Sequence, residues 1–404
     1  MTGVSAPLEG IRVLEVAMWG FVPSAGGVLA DWGADVVKVE HAVTGDPQRG
    51  LRQTGRYRVD DDPNPNIEHP NRGKRSIGID IATPEGKEVL YDLARRADVF
   101  LTSFLPEPRR RLGIDVADIR RANPRIIYAR GSALGPRGPE SERGGYDMTA
   151  FWCRAATAAS LTPSNIDGFV APPPAYGDTI SGTNLAGGIA AALLKRERTG
   201  EPSVVDVSLL GSGLWALGAA MATSLRLNEP WEAPPVGSHS SMRNPLSGLY
   251  RTADGRYLSL VMLQPTRYWA EVCRHIGRPE LADDPRFATG EALTANTEQA
   301  VEILREAFAG RTLAEWTERL ATLSGPWAPV QDTLQAATDP QVRANEYVLR
   351  AGGSEVVASP VQFDVAAPQL DAAPAFAAQT EEILLELGVD WDRIIALKEA
   401  GAVT

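Results

Sequence analysis

The chain has 404 residues, 44% of them hydrophobic and 23% charged, with a formal net charge of −11. That length suits two or three domains with a large buried core, and the balance is that of an ordinary soluble globular protein. The acidic balance argues against non-specific nucleic-acid binding, which needs a basic face, but Arg109-Arg110-Arg111 leaves room for a small anionic ligand.

Ile11-Arg12-Val13-Leu14-Glu15-Val16-Ala17 reads as the first strand, a largely apolar run of the kind a parallel sheet covers on both faces. A turn follows, then a helix with Pro23 at its first position, ended by Gly33, and a second strand over residues 36–40. The alternation returns with a strand over 76–80, a helix opened by Thr83-Pro84, a strand over 98–101 and another over 123–129. Repetition of this kind predicts an α/β fold, doubly wound, with ligands at the carboxyl ends of the strands. The first turn, Met18-Trp19-Gly20-Phe21-Val22-Pro23, is not G-x-G-x-x-G, so a nicotinamide or flavin site loses its main support.

Residues 161–177 read as a loop containing Pro172-Pro173-Pro174. No charge occurs between Asp206 and Arg226, close to membrane-spanning length, yet the stretch is rich in glycine, serine and threonine. It is read as a helix buried in a core or subunit interface, not as a membrane span. Past the proline-rich 229–235, two alternating runs around Asp254-Gly255 predict a hairpin over 248–260. Amphipathic helices around 268–275, 297–308 and 313–323 complete a small α+β domain. Helical segments near 380–387 and 391–400 end the chain. The expected division is a large domain over 1–225, a small inserted domain over 226–335, and a segment 336–404 returning to the large one.

Cys153 and Cys273 lack metal-ligand spacing and the histidines form no HExxH-like cluster, so no metal site is expected. The cysteine usage fits a reduced, cytoplasmic setting, and residues 1–7 show no signal pattern. The candidate for chemistry is Asp178, in Ala175-Tyr176-Gly177-Asp178-Thr179 at the start of a long apolar stretch. A carboxylate beside a glycine, ahead of a helix N-terminus, is well placed to be held by backbone N–H groups and to stay open to a reactant. A helix-capping aspartate is the plainer alternative.

Several segments in order carry a family resemblance. They are Pro7-Leu8-Glu9-Gly10-Ile11-Arg12-Val13-Leu14-Glu15; Leu29-Ala30-Asp31-Trp32-Gly33-Ala34-Asp35-Val36-Val37-Lys38-Val39-Glu40; Gly45-Asp46-Pro47; Asn71-Arg72-Gly73-Lys74-Arg75-Ser76; Arg111-Leu112-Gly113; and Gly177-Asp178. With these the chain resembles the family III CoA-transferases, the formyl-CoA transferase and carnitine CoA-transferase group that also holds the α-methylacyl-CoA racemases. The resemblance implies a Rossmann-like large domain, an inserted small domain and an interlocked homodimer. It implies no tightly bound cofactor, and acyl-CoA with a carboxylic acid acceptor as substrates. Asp178 matches the catalytic aspartate, which forms an acyl-aspartyl anhydride and then an aspartyl–CoA thioester. Coenzyme A contacts carry over to Gly20, Phe21, Val22, Asn71, Arg72, Lys74, Arg75, Ser103, Phe104 and Arg111, with Tyr146 on the acyl or pantetheine side. Backbone N–H groups after Asp178 or near Gly20 are the expected oxyanion donors.

The departures from the family pattern carry information too. Gly20 stands where formyl-CoA transferase has glutamine, which argues against formate and oxalate. The polyglycine loop is replaced by Gly237-Ser238-His239-Ser240-Ser241-Met242, and His41-Ala42 stands where a basic residue follows strand two. Trp152, Phe151, Phe169 and Met242 hint at an acyl group larger and more apolar than formyl. The racemase branch needs a histidine as second acid/base, and here that place reads Gly144-Gly145-Tyr146-Asp147. A phenol with pKa about 10 is a poor base at neutral pH, which favours transfer over racemisation. A non-catalytic acyl-CoA-binding role is the remaining alternative, opposed by the intact Asp178 turn.

Overall fold

Six short strands of mostly aliphatic residues form one parallel sheet: β1 (Arg12–Val16), β2 (Asp35–Glu40), β3 (Arg75–Gly78), β4 (Val99–Thr102), β5 (Ile127–Ser132) and β6 (Val204–Ser208). The structure is a computed structural model describing residues 6–60, 62–237 and 243–404. The strand order is β3-β2-β1-β4-β5-β6, and every neighbouring pair runs parallel. The chain therefore winds outward from β1 in both directions. The crevice between the carboxyl ends of β1 and β4 is the point where the order reverses, the usual ligand position in such sheets.

Alternate residues of each strand serve opposite faces. Val13, Val36, Val99, Leu101 and Ile127 pack with Leu185 and Ile189 of one long helix, α3 (Tyr176–Thr199), and with Val22, Val28 and Leu29 of α1 (Phe21–Asp31). Leu14, Val37, Phe100 and Tyr128 pack on the other side against Leu90 and Leu93 of α2 (Pro84–Arg96). The C-terminal helices Thr380–Glu386 and Trp391–Glu399 join that second layer through Ile383, Leu384, Ile394 and Leu397. Burial on both faces explains why these strands read as continuous apolar runs.

Local chemistry sets the boundaries. Thr83 Oγ1 accepts from the Gly86 N–H at 3.0 Å and Pro84 occupies the first turn, so α2 starts where expected. The first helix begins at Phe21, two residues before Pro23, and ends ahead of Gly33 at φ +94°. Strand β5 begins at Ile127, not at 123, because the Asn123 amide donates to the Ala94 and Ala97 carbonyls and closes a turn. The uncharged stretch is not one helix. It supplies β6, then a helix Leu209–Ala216 capped by Ser208, then a helix Gly218–Leu227 in which no residue is buried. Among the described residues no helix is long and apolar enough to cross a membrane.

The chain divides into two compact units. The large one holds the chain up to Leu161, Phe169–Trp231 and Pro340–Thr404, and the small one Thr162–Gly168 and Glu232–Asp339. The small unit carries an antiparallel sheet in which Tyr257–Val261 pairs with Ser247–Arg251 on one side and Trp327–Pro329 on the other. Its hairpin turns at Gly255 with φ +77°, and Tyr250, Leu258, Leu260, Trp269, Phe308 and Trp316 fill its core.

Candidate active site

The turn after β1 is held from below. Met18 N–H donates to Ser103 Oγ at 3.1 Å and Trp19 N–H to Asp46 Oδ1 at 3.2 Å. Trp19 sits at φ +70°, a left-handed conformation that bulky residues rarely adopt and that surrounding structure must impose. Asp46 is itself paired with the fully buried Lys38 at 2.8 Å, and Lys38 reaches Glu15 at 3.3 Å. Glu15 also takes Lys74 at 2.7 Å. This buried charge cluster runs under the end of β1 and anchors the turn in a conformation a loop alone would not keep.

Above it lies a cavity of about 700 Å³, large enough for a drug-sized or larger ligand. Its wall is mostly apolar: Met18, Trp19, Phe21, Val22, Phe104, Leu105, Ala133, Leu134 and Leu209. Ser103 and Gly131-Ser132 at the ends of β4 and β5 and Tyr146 complete it, with Tyr146 meeting Trp19 edge-on at 5.9 Å between ring centroids. Three guanidinium groups, Arg111, Arg143 and Arg154, stand on the same wall. Arg143 and Arg154 share Glu140, whose carboxyl these contacts, led by the Arg143 hydrogen bond, hold below the usual range.

Asp178 is the only carboxylate on this wall among the described residues. It lies in the first turn of α3, and a β-carbon added to Gly20, at the head of α1, would come within 2.7 Å of its Oδ2. Glycine at position 20 thus lets the backbone close on the carboxylate. Burial, and next the charge of Asp147, push the Asp178 pKa up to about 7. The Asp147 carboxyl is raised as well, chiefly by burial. Asp147 accepts from the Gly177 N–H at 3.0 Å.

Over residues 8–380 the chain matches the family described as CoA-transferase family III. The chain belongs to that family. The (R)-2-hydroxy-4-methylpentanoate CoA-transferase of Clostridioides difficile is 29% identical over 98% of this chain and 99% of its own length. A probable fatty acyl-CoA transferase of Mycobacterium tuberculosis is 34% identical over 86% of this chain and 88% of its own. Among solved structures, a CAIB/BAIF family protein from Brucella suis superposes with a TM-score of 0.82 at 27% identity, covering 95% of this chain and 100% of that one. The resemblance read from the motifs therefore holds, and this family III member is a CoA-transferase acting on CoA thioesters.

The fold of this CoA-transferase gathers Phe21, Val22, Ser103, Phe104, Arg111, Tyr146 and Asp178 around one cavity, with Gly20 against Asp178. It does not bring Asn71, Arg72, Lys74 or Arg75 to that wall. Lys74 and Asn71 face inward, the ammonium held by Glu15, the Pro23 carbonyl and Asn71 Oδ1. Arg72 forms a two-pronged pair with Asp31 at 2.9 and 2.6 Å. Arg75 binds Asp35, Glu382 and Glu386 at the amino ends of the strands, the opposite edge of the sheet. Each cation already has its counter-charge inside the fold. The N–H after Asp178 is taken too, since Thr179 donates to the Ala175 carbonyl at 2.9 Å. Met18, Trp19, Arg143 and Arg154 were not expected in the site. The position of Met18-Trp19 just after the first strand was the available signal for that pair, whereas nothing local marks the two arginines. Residues 238–242, including Met242, lie outside the described residues.

Proposed function

We propose that this enzyme moves CoA from an acyl-CoA donor to a carboxylic acid through covalent intermediates on Asp178, and that it works as an interlocked homodimer. The observation that carries the reading is a carboxylate, the only one on this apolar cavity wall among the described residues, beside the carboxyl ends of the parallel strands. An ionised Asp178 oxygen attacks the thioester carbonyl carbon. The C–S bond breaks, leaving an acyl-aspartyl anhydride and the CoA thiolate. The thiolate then attacks the aspartyl carbonyl, releasing the donor acid and forming an aspartyl–CoA thioester. The acceptor carboxylate displaces the thiolate from that thioester, and the thiolate takes the acceptor acyl group, restoring Asp178. No general base is needed, because a carboxylate is nucleophilic once ionised.

Phe21 and Val22 in the first turn of α1 line the cavity, and the leading N–H groups of a helix have no partner within it, so this turn is assigned the developing oxyanion. Arg111, Arg143 and Arg154 are assigned the phosphates of CoA, which guanidinium groups bind two-pronged. Asn71, Arg72, Lys74 and Arg75 are left out of the phosphate set because their internal partners occupy them.

The test is incubation with a panel of acyl-CoA thioesters and carboxylic acids, with hydroxylamine trapping and mass analysis of the peptide bearing Asp178. Exchange of CoA between acids, a labelled Asp178 and loss of at least about a thousandfold in kcat for Asp178→Ala are expected. Parental exchange by Asp178→Ala would overturn the reading, and α-proton exchange without acyl transfer would replace it with racemisation. Because the reacting form is the carboxylate, kcat/KM should rise with pH and level off above about 7, the value to which Asp178 is raised.

A further inference from the structure

The helix carrying Asp178 begins without a cap of its own. Its N-cap residue is Ala175, at φ +56°, and no side chain of the turn caps it. An alanine cannot satisfy the first N–H groups of the helix, which serine, threonine, asparagine or aspartate commonly do. The missing acceptor comes from another part of the chain. Asp147, thirty residues before Gly177 and just before the π-helical turn Met148–Arg154, accepts from the Gly177 N–H at 3.0 Å. That is the second helical position, one of the donors an N-cap side chain normally takes.

The approach is close and leaves no slack. A β-carbon on Gly177 would lie 2.4 Å from Asp147 Oδ1 and 2.4 Å from the Phe151 ring. Asp147 is 8% exposed, and its Oδ1 is buried with no hydrogen-bond partner among the described residues. A buried, unpaired carboxylate oxygen is costly, and this one lies next to a second carboxylate. A side chain serving the helix alone would bring no such like-charge contact; an asparagine would cap as well.

Resting on the reading of Asp178 as acyl acceptor, we propose that Asp147 is a positioning residue for it. By capping α3 from outside, Asp147 frees the third helical residue from the reach-back that a capping box demands and turns it toward the cavity. Its negative charge also adds to the effect of burial on the proton affinity of Asp178. The other charged or titratable groups nearby do not take this part. Tyr146 lies on the wall, Arg111, Arg143 and Arg154 stand on it with Glu107 and Glu140 as partners, and Arg130 of β5 is tied to Asp206 of β6. Among the described residues, Asp147 is the charged group that, after burial, raises the Asp178 pKa.

Two variants of the full-length enzyme separate the two parts of the role. In Asp147→Asn the amide oxygen still accepts the Gly177 N–H but the charge is gone. The acid limb of kcat/KM should move down by roughly one pH unit, with KM for acyl-CoA changed less than twofold. In Asp147→Glu the charge remains but the acceptor is displaced. The limb should stay in place while kcat falls about ten- to a hundredfold. An unmoved limb in Asp147→Asn, or parental kcat in Asp147→Glu, overturns the proposal. Hydroxylamine trapping on the parent enzyme is run alongside. If no acyl group is found on Asp178, the underlying mechanism fails; if one is found and neither variant behaves as stated, only the role of Asp147 fails.

Discussion

Asp178 bears opposing demands. Taking part in acyl transfer requires an ionised carboxylate, while the apolar wall and Asp147 favour the protonated one and lift its pKa to about 7. A carboxyl raised on folding costs nothing below its unfolded pKa, near 3.9, because both states are then protonated. The cost grows as pH climbs through that range and is complete above the folded value. A carboxyl held that far above its ordinary value lowers stability by up to about 4 kcal/mol at pH 8. Asp178→Asn should therefore be inactive yet more stable than the parent at pH 8, with the difference vanishing near pH 4. Thermal unfolding across that range measures it, and equal melting temperatures at both ends would remove the strain argument. The gain would be an instance of stability given up for a working site.

At the scale of elements, the sheet is tied together by charges its sequence pattern conceals. Glu15 of β1 is fully buried between Lys38 of β2 and Lys74, and a β-carbon on Gly26 of α1 would fall 1.9 Å from its Oε2. Removing one member of a buried cluster leaves the others uncompensated, commonly at about 3–5 kcal/mol. Glu15→Gln should lower the denaturant midpoint accordingly with an unchanged slope, and a midpoint equal to the parent's would mean the two lysines find other partners. This cluster also marks the limit of what was legible beforehand. The apolar runs of β1 to β4 and the Thr83-Pro84 start of α2 read directly, because burial and capping leave local patterns. Strand β6 did not, since Asp206 interrupts its apolar run and the uncharged stretch after it has helical character. The place of Asp178 at a helix start was legible from its glycine and the apolar stretch after it. The fates of Arg72, Lys74 and Arg75 were not: Lys74 meets Glu15 across 59 residues of sequence, and only the folded sheet says which cations are already spent. The left-handed Trp19 was hidden for the same reason, its conformation being imposed by Asp46 from β2's far loop.

At the scale of the whole molecule, the helices following β6 are the least accounted for. Trp215 is 78% exposed and Leu225 77%, and Leu227 lies open beside them. Helix Gly218–Leu227 has no buried residue at all, although it is too weakly polar to be at ease in water. The large unit is also assembled from both ends of the chain, with residues up to Leu161 and Pro340–Thr404 in the same body. A second copy packed on these helices would cover the apolar face, in keeping with the interlocked homodimer proposed above. If so, light scattering coupled to size exclusion should give twice the chain mass for the parent protein at micromolar concentration. Trp215→Glu combined with Leu225→Glu places one charge on each of these helices, and the mass should fall to that of one chain or the protein should lose solubility. A parent that runs as a single chain, or a double variant that remains a fully stable dimer, would show that these side chains face water by themselves and that any partner binds elsewhere.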